Sequence, residues 1–231
     1  MDAAGPGRVI PWVHLGTANV PGGGEELRLK RRGSEFSIML GTNELMNSRL
    51  SGSEEALAKL SIEKITGSAR PSILIGGLGM GFTLRAALAE LGADARVEVA
   101  EIVTAVIGWA RGEMAEVFGT CLDDPRVAIH EGDVGQLIRS AADAYDAILL
   151  DVDNGPEGLS RSSNDSLYNA AGLAAARRAL RPGGVLAVWS SGPDAGFTRR
   201  LRQAGFAVEE VGVRARGKRG ARHVIWLAAK E

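Results

Sequence analysis

The sequence predicts an α/β fold: a mostly parallel seven-stranded sheet that ends in an antiparallel pair, with a small β appendage at the N-terminus. Three observations carry this. Beyond Pro71, short aliphatic runs alternate with helical patterns, the rhythm of parallel strands joined by covering helices. The first of these runs opens directly into a glycine-rich turn, Gly76-Gly77-Leu78-Gly79-Met80-Gly81. The last two β-like runs follow one another without a helix between them.

Taken in order, the first 25 or so residues hold Pro6, Pro11, Pro21 and a run of glycines at 22–24, a composition of turns with at most short strands. From Glu26 to Leu50 two or three short strands are expected, because Leu27 and Leu29, then Phe36, Ile38 and Leu40, alternate with other residues. Residues 1–52 are therefore read as the β-rich appendage and 53–231 as the nucleotide-binding domain. Ser53-Glu54-Glu55 opens a helix in which Ala56, Leu57, Leu60 and Ile65 recur near helical spacing. The parallel strands are placed at Ser72–Gly76, Arg96–Ala100, Val127–His130, Ala147–Val152 and Val185–Trp189. Ala207–Val213 and Val224–Ala228, joined by a basic run from Arg214 to Arg222, form the closing antiparallel pair.

Bulk composition narrows the function. In 231 residues, 45% are hydrophobic and 24% charged, so one substantial core is expected. The formal net charge of -1 supplies no overall field toward nucleic acid or an anionic membrane, so nucleic acid is not an expected partner. The single cysteine, Cys121, has no neighbouring Cys or His at metal-ligand spacing, which suits a reducing cytoplasm and predicts no metal. No apolar stretch approaches the roughly 20 residues of a spanning helix, and the chain is expected to be cytoplasmic, with no membrane partner.

The residues that carry chemistry lie at the carboxyl ends of the parallel strands, where open α/β sheets bind ligands. Gly77, Gly79 and Gly81 remove the Cβ where a backbone must turn tightly and approach a ligand, and Gly76 ends the strand that feeds them. A dinucleotide fingerprint needs a third glycine where this chain has Phe82, which argues against nicotinamide or flavin. Glu101 ends the next strand, placed to accept hydrogen bonds from a ribose, with Ile102 beside it on the nucleotide side. Gly132-Asp133 follows the third strand; the acid is read as receiving an adenine amino group, with a helix N-cap as the competing account. After the fourth strand, Asp151 and Asp153 fall on one side by alternation, candidates to attract an amine, orient it or take its proton. Asp151 is expected to serve the nucleotide as well. Asp153 and Asn154 are also good turn formers. The scattered His14, His130 and His223 are assigned no role, and Trp189, placed where it could line the acceptor pocket, is read first as core packing at a strand end.

Together these residues resemble the spermidine synthase family, the aminopropyltransferase branch of the Rossmann-like class I methyltransferase fold. The resemblance runs from about Glu35 to Ser191 through the glycine turn, Glu101, Asp123-Asp124-Pro125-Arg126-Val127, Gly132-Asp133, Asp151, Gly155-Pro156, Leu167-Tyr168 and Arg181-Pro182-Gly183-Gly184. It implies a donor of the S-adenosylmethionine type, decarboxylated in that family, and a β-rich N-terminal domain of the kind that helps form a homodimer. The acceptor side departs from the family pattern. Gly79 and Asn154 stand where the family carries aspartates, and Ser53-Glu54 is the best match to its tyrosine and histidine. On those departures the expected reaction is methyl transfer from S-adenosylmethionine to a small polar or amine acceptor. Aminopropyl transfer from decarboxylated S-adenosylmethionine, with Asp153 and Glu54 standing in for the missing groups, is the alternative, and a nucleotide-binding module without catalysis is a further one.

Overall fold

The computed structural model describes residues 10–22, 25–65, 67–152, 166–216 and 219–231. An antiparallel sheet comes first, with strands β1 (Val13–Asn19), β2 (Glu26–Arg32), β3 (Glu35–Leu40) and β4 (Asn43–Asn47) in sequential order. Alternation along β2 and β3 sends Leu27, Leu29, Phe36 and Ile38 inward, and Leu29 pairs directly with Ile38. β1 lies in a stretch expected to be irregular. Its existence rests on the ladder with β2, from Val13↔Arg31 to Asn19↔Glu26, a non-local pairing that turn-rich composition conceals.

Helix α1 (Gly52–Lys64) leads into the main sheet, as the Ser53-Glu54-Glu55 signal predicts. The parallel strands are β5 (Ser72–Gly76), β6 (Arg96–Glu101), β7 (Val127–Glu131), β8 (Tyr145–Leu150) and β9 (Leu180–Ser190). Between and after them run helices α2 (Phe82–Glu90), α3 (Thr104–Arg111), α4 (Ala115–Phe118), α5 (Val134–Ser140), α6 (Ala170–Ala179) and α7 (Ala195–Gln203). The closing pair is β10 (Phe206–Arg216) and β11 (Arg219–Lys230). The seven strands take the order β10-β11-β9-β8-β5-β6-β7, with β10 and β11 antiparallel and the rest parallel, the architecture expected from the sequence.

The central strands β5 and β8 are buried on both faces, which is why they read as unbroken aliphatic runs. One face of the sheet shares its core with the N-terminal sheet, so Leu29 and Ile38 belong to the same apolar cluster as Ile75 and Leu149. The other face packs Leu74, Ile148 and Trp226 under α5, α6 and α7. Close approach of the N-terminal sheet to α3 depends on Gly16: a Cβ there would lie 2.7 Å from the Trp109 indole nitrogen.

The topology also fixes where a ligand can sit. From β5 the chain moves outward to β6 and β7, then returns to place β8 on the opposite side of β5. The carboxyl ends of β5 and β8 thus flank the switch point of the sheet, the crevice that open α/β folds use for ligands.

Candidate functional site

Both sides of that crevice are held by backbone. The Asp151 N–H donates to the Gly76 carbonyl at 3.0 Å, and the Gly77 N–H donates to the Ala100 carbonyl at 2.9 Å. Gly77 has φ +91°, and a Cβ on it would collide with the Asp151 carbonyl oxygen. Gly81 has φ +76° and would drive a Cβ to 2.5 Å from the Phe118 ring. These two positions require glycine because the turn must bend in the left-handed region while packed against neighbours. Gly79 also bends in the left-handed region, at φ +51°, but its nearest neighbour is the Met46 sulfur at 3.4 Å, so the backbone and not a clash favours glycine there.

Glu101 is 7% exposed at the end of β6. One carboxylate oxygen accepts the Leu78 N–H at 3.0 Å and the other accepts the Val103 N–H at 2.8 Å. The residue placed in the sequence as a ribose acceptor therefore also pins the glycine turn to the β6 end. Ile102, next to it, is among the few large apolar side chains of the described residues that are exposed to solvent. Gly132 donates to the Glu101 carbonyl, which ties the β7 end to the same edge. Asp133 caps α5: one oxygen accepts the Gly135 N–H at 2.8 Å and the other pairs with Arg139 at 3.1 Å. The cap role weighed in the sequence is present, and both oxygens have protein partners.

Beside the turn lies a pocket of about 90 Å³ lined by Glu54, Asp151, Trp189, Gly79 and the apolar Leu45, Met46, Leu78, Met80 and Phe82. Asp151 follows β8 directly. The Thr83 hydroxyl donates to its Oδ2 at 2.8 Å. Burial pushes its carboxyl up to about 7, the nearby Glu54 charge adds to the rise, and the Thr83 bond opposes it. Glu54 sits in the first turn of α1, where the Ser53 hydroxyl donates to its Oε2 at 2.6 Å. Its carboxyl is raised as well, by burial first, against the Ser53 bond. Trp189 also lines the pocket, 4.8 Å edge-on from the His223 ring, and its indole N–H is buried with no acceptor among the described residues. Burial lowers the His223 pKa and favours the neutral ring.

The structure thus brings together Gly76, Gly77, Gly79, Gly81, Glu101 and Asp151, with Ile102, Gly132 and Asp133 at the same sheet edge. Asp153 and Asn154 lie outside the described residues. The sequence reading missed Met46 and Thr83, and ranked core packing above the pocket position that Trp189 occupies. Thr83 is visible only as the second residue of a helix after a glycine turn, and Met46 arrives from another sheet, so neither had a local signal. No group of three or more metal-ligating side chains occurs among the described residues. No helix among them is long and apolar enough to cross a membrane.

Known proteins sharpen the picture. A family model described as the spermine/spermidine synthase domain matches residues 53–194. The polyamine aminopropyltransferase of Mycobacterium tuberculosis is 34% identical over 154 residues, covering 62% of this chain and 28% of that protein. That of Nitrosomonas europaea is 34% identical over 127 residues, covering 55% of this chain and 37% of its own length. The chain therefore spans about a third of the curated relatives it matches. Spermidine synthase from Thermotoga maritima superimposes with a TM-score of 0.74 at 18% identity, over 94% of this chain and 72% of that one. A probable spermidine synthase from Corynebacterium glutamicum gives 0.63 at 15% identity, over 94% and 80%. At those identities the structures speak to the fold alone.

These matches correct the reaction expected from the sequence. The leading expectation was methyl transfer from intact S-adenosylmethionine; the family model and the curated aminopropyltransferases overturn it in favour of the alternative. The error came from weighting the missing Gly79 and Asn154 acids above the rest of the pattern. The pocket still contains two carboxylates, one of them supplied from α1 rather than from the glycine turn.

Proposed function

Because the chain belongs to the spermine/spermidine synthase domain family, we propose that it transfers an aminopropyl group from decarboxylated S-adenosylmethionine to a small amine acceptor. The observation that carries this reading is the pocket itself, where Asp151 and Glu54 face apolar walls with no ion-pair partner among the described residues. Such a pocket attracts ammonium groups and repels a carboxylate. A donor tail entering it is favoured when its carboxylate has been removed, which argues for the decarboxylated donor over the intact one.

The residues present fit the donor. Gly77 and Gly81 form a turn that no Cβ could share, Glu101 fixes that turn by its amides and faces the ribose, Ile102 offers an apolar surface for the base, and Gly132 and Asp133 frame it. When bound, the donor supplies a sulfonium-activated carbon whose bond to sulfur breaks as a neutral thioether leaves. The protein's task is then to present an unprotonated amine in line with that carbon. Asp151 takes the proton from the acceptor ammonium, and its raised pKa places it close to neutral pH, where a general base works best. Asp153, on sequence position, belongs to the acceptor side.

The test is direct. Purified protein is supplied with 1,4-diaminobutane and either form of the donor, and release of 5′-methylthioadenosine is followed. Turnover with the decarboxylated donor only is the expected result. Release of S-adenosylhomocysteine from the intact donor, or tighter binding of the intact donor in titration, overturns the reading.

A further inference from the structure

We propose that Glu54 and Asp151 hold a single proton between them in the free pocket, and that an acceptor ammonium entering between the two carboxylates displaces it. Glu54 is then the amine-binding residue and the newly ionised Asp151 is the base. This rests on the aminopropyl-transfer reading of the site and adds to it a residue and a proton balance.

The argument is geometric first. Glu54 on α1 and Asp151 after β8 line the same small pocket, and Thr83 on α2 stands between them. The Thr83 hydroxyl donates to Asp151 Oδ2 at 2.8 Å and lies 3.5 Å from the Glu54 backbone carbonyl, too far for a strong second bond. Each carboxylate thus has one hydroxyl donor, Ser53 for Glu54 and Thr83 for Asp151. Hydroxyl donors soften the charge of one carboxylate and cannot neutralise two. The charged neighbours make matters worse: Glu55 on α1 adds repulsion at Glu54, and His223 on β11, behind Trp189, is pushed toward its neutral form. Leu45 and Met46 from the N-terminal sheet and Met80 and Phe82 from the glycine turn and α2 complete the wall without charge. Two acids in one desolvated site titrate as a pair, and the second ionisation is postponed until a cation arrives.

The chain's own departures from the family pattern point the same way. Gly79 lines this pocket but brings no side chain, so the second carboxylate comes from α1. An ammonium between Glu54 and Asp151 takes the place of the shared proton as the single positive charge facing both carboxylates, and that proton leaves to solvent before the reaction begins. Glu54 remains as the counter-charge while Asp151 later accepts the amine proton.

The experiment is isothermal titration of 1,4-diaminobutane into protein saturated with 5′-methylthioadenosine, repeated in two buffers of different ionisation enthalpy. At pH 6 the wild type is expected to release close to about one proton per amine bound, falling toward zero above about pH 8. Glu54→Gln is expected to release less than about half as much at pH 6 and to bind the amine at least about tenfold more weakly. Glu54→Asp, which keeps the charge on a shorter arm, should retain most of the proton release while losing affinity, and serves also if the glutamine variant folds poorly. Unchanged release and affinity in Glu54→Gln, absence of release in the wild type, or absence of amine binding would each overturn the proposal. Failure of the transfer reading is seen separately, as no methylthioadenosine release from the decarboxylated donor while amine-linked proton release persists.

Discussion

Replacing Glu101 by glutamine tests whether this carboxylate organises the glycine turn. In the wild type its two oxygens accept the Leu78 N–H at 3.0 Å and the Val103 N–H at 2.8 Å in a site only 7% exposed. Glutamine keeps the shape but presents one oxygen and one NH₂, so one of the two amides meets a donor instead of an acceptor. Hydrogen bonds to a charged group contribute about 1.5–3 kcal/mol each, and a buried amide left unpaired costs about 1–3 kcal/mol. The expected loss of stability is therefore about 2 kcal/mol, a fall in melting temperature of about 4–8 °C for a chain of this size. The turn that loosens is also the proposed nucleoside platform, so affinity for 5′-methylthioadenosine should fall at least about tenfold. Urea denaturation gives the first quantity and calorimetric titration the second. A stability change under about 0.5 kcal/mol with unchanged affinity would refute the reasoning, because the two amides would then have found other partners at no cost.

Other substitutions probe neighbouring links. Gly77→Ala places a Cβ against the Asp151 carbonyl at φ +91°, so both nucleoside binding and stability should fall; an alanine variant with wild-type affinity would show that the turn can relax. Asp151→Asn should leave methylthioadenosine affinity within a fewfold while lowering turnover by roughly 10² or more, and parallel losses would instead move Asp151 into the donor shell. The same variant has a pH signature. The folded pKa of Asp151 is raised from 3.8 to about 7, so the wild type is spared any penalty below the unfolded value, loses stability progressively as pH climbs toward 7, and carries the full cost above it. Asparagine should therefore be the more stable form at pH 8, by on the order of 2 kcal/mol, with the advantage gone by pH 4; denaturation at the two pH values measures it. Thr83→Val removes the hydroxyl that lowers the Asp151 pKa, so the acid limb of kcat/KM should move to higher pH, and an unmoved limb would detach Thr83 from the base.

Much of the site was legible before folding, and for identifiable reasons. Glycine at 77 and 81 and the acid at 101 carry strong local signals, because a backbone that turns against a ligand tolerates few residue types. Of the two roles read for Asp133, the structure displays the capping one. Glu54 was legible as a stand-in, with Asp153, for acceptor-side groups of the family pattern, but not as the pocket neighbour of Asp151. Met46 and Thr83 gave none. Their role depends on which strand and helix end beside β8, and the 3.6- and 2-residue periods of a sequence report which face of an element is buried, not which other element covers it.

By itself, then, the chain determined its parallel sheet, the closing antiparallel pair, the glycine turn and the acids at the strand ends, since each follows from local periodicity and from backbone dihedrals that only certain residues adopt. The tertiary structure decided the rest. It made β1 a strand by pairing it with β2, turned Glu101 inward onto two amides, and set Glu54 of α1 and Asp151 of β8's end, 97 residues apart in the chain, into one pocket. Charges that are solvated and independent in an extended chain become coupled when folding removes the water between them, and that coupling belongs to the packed pocket rather than to either residue.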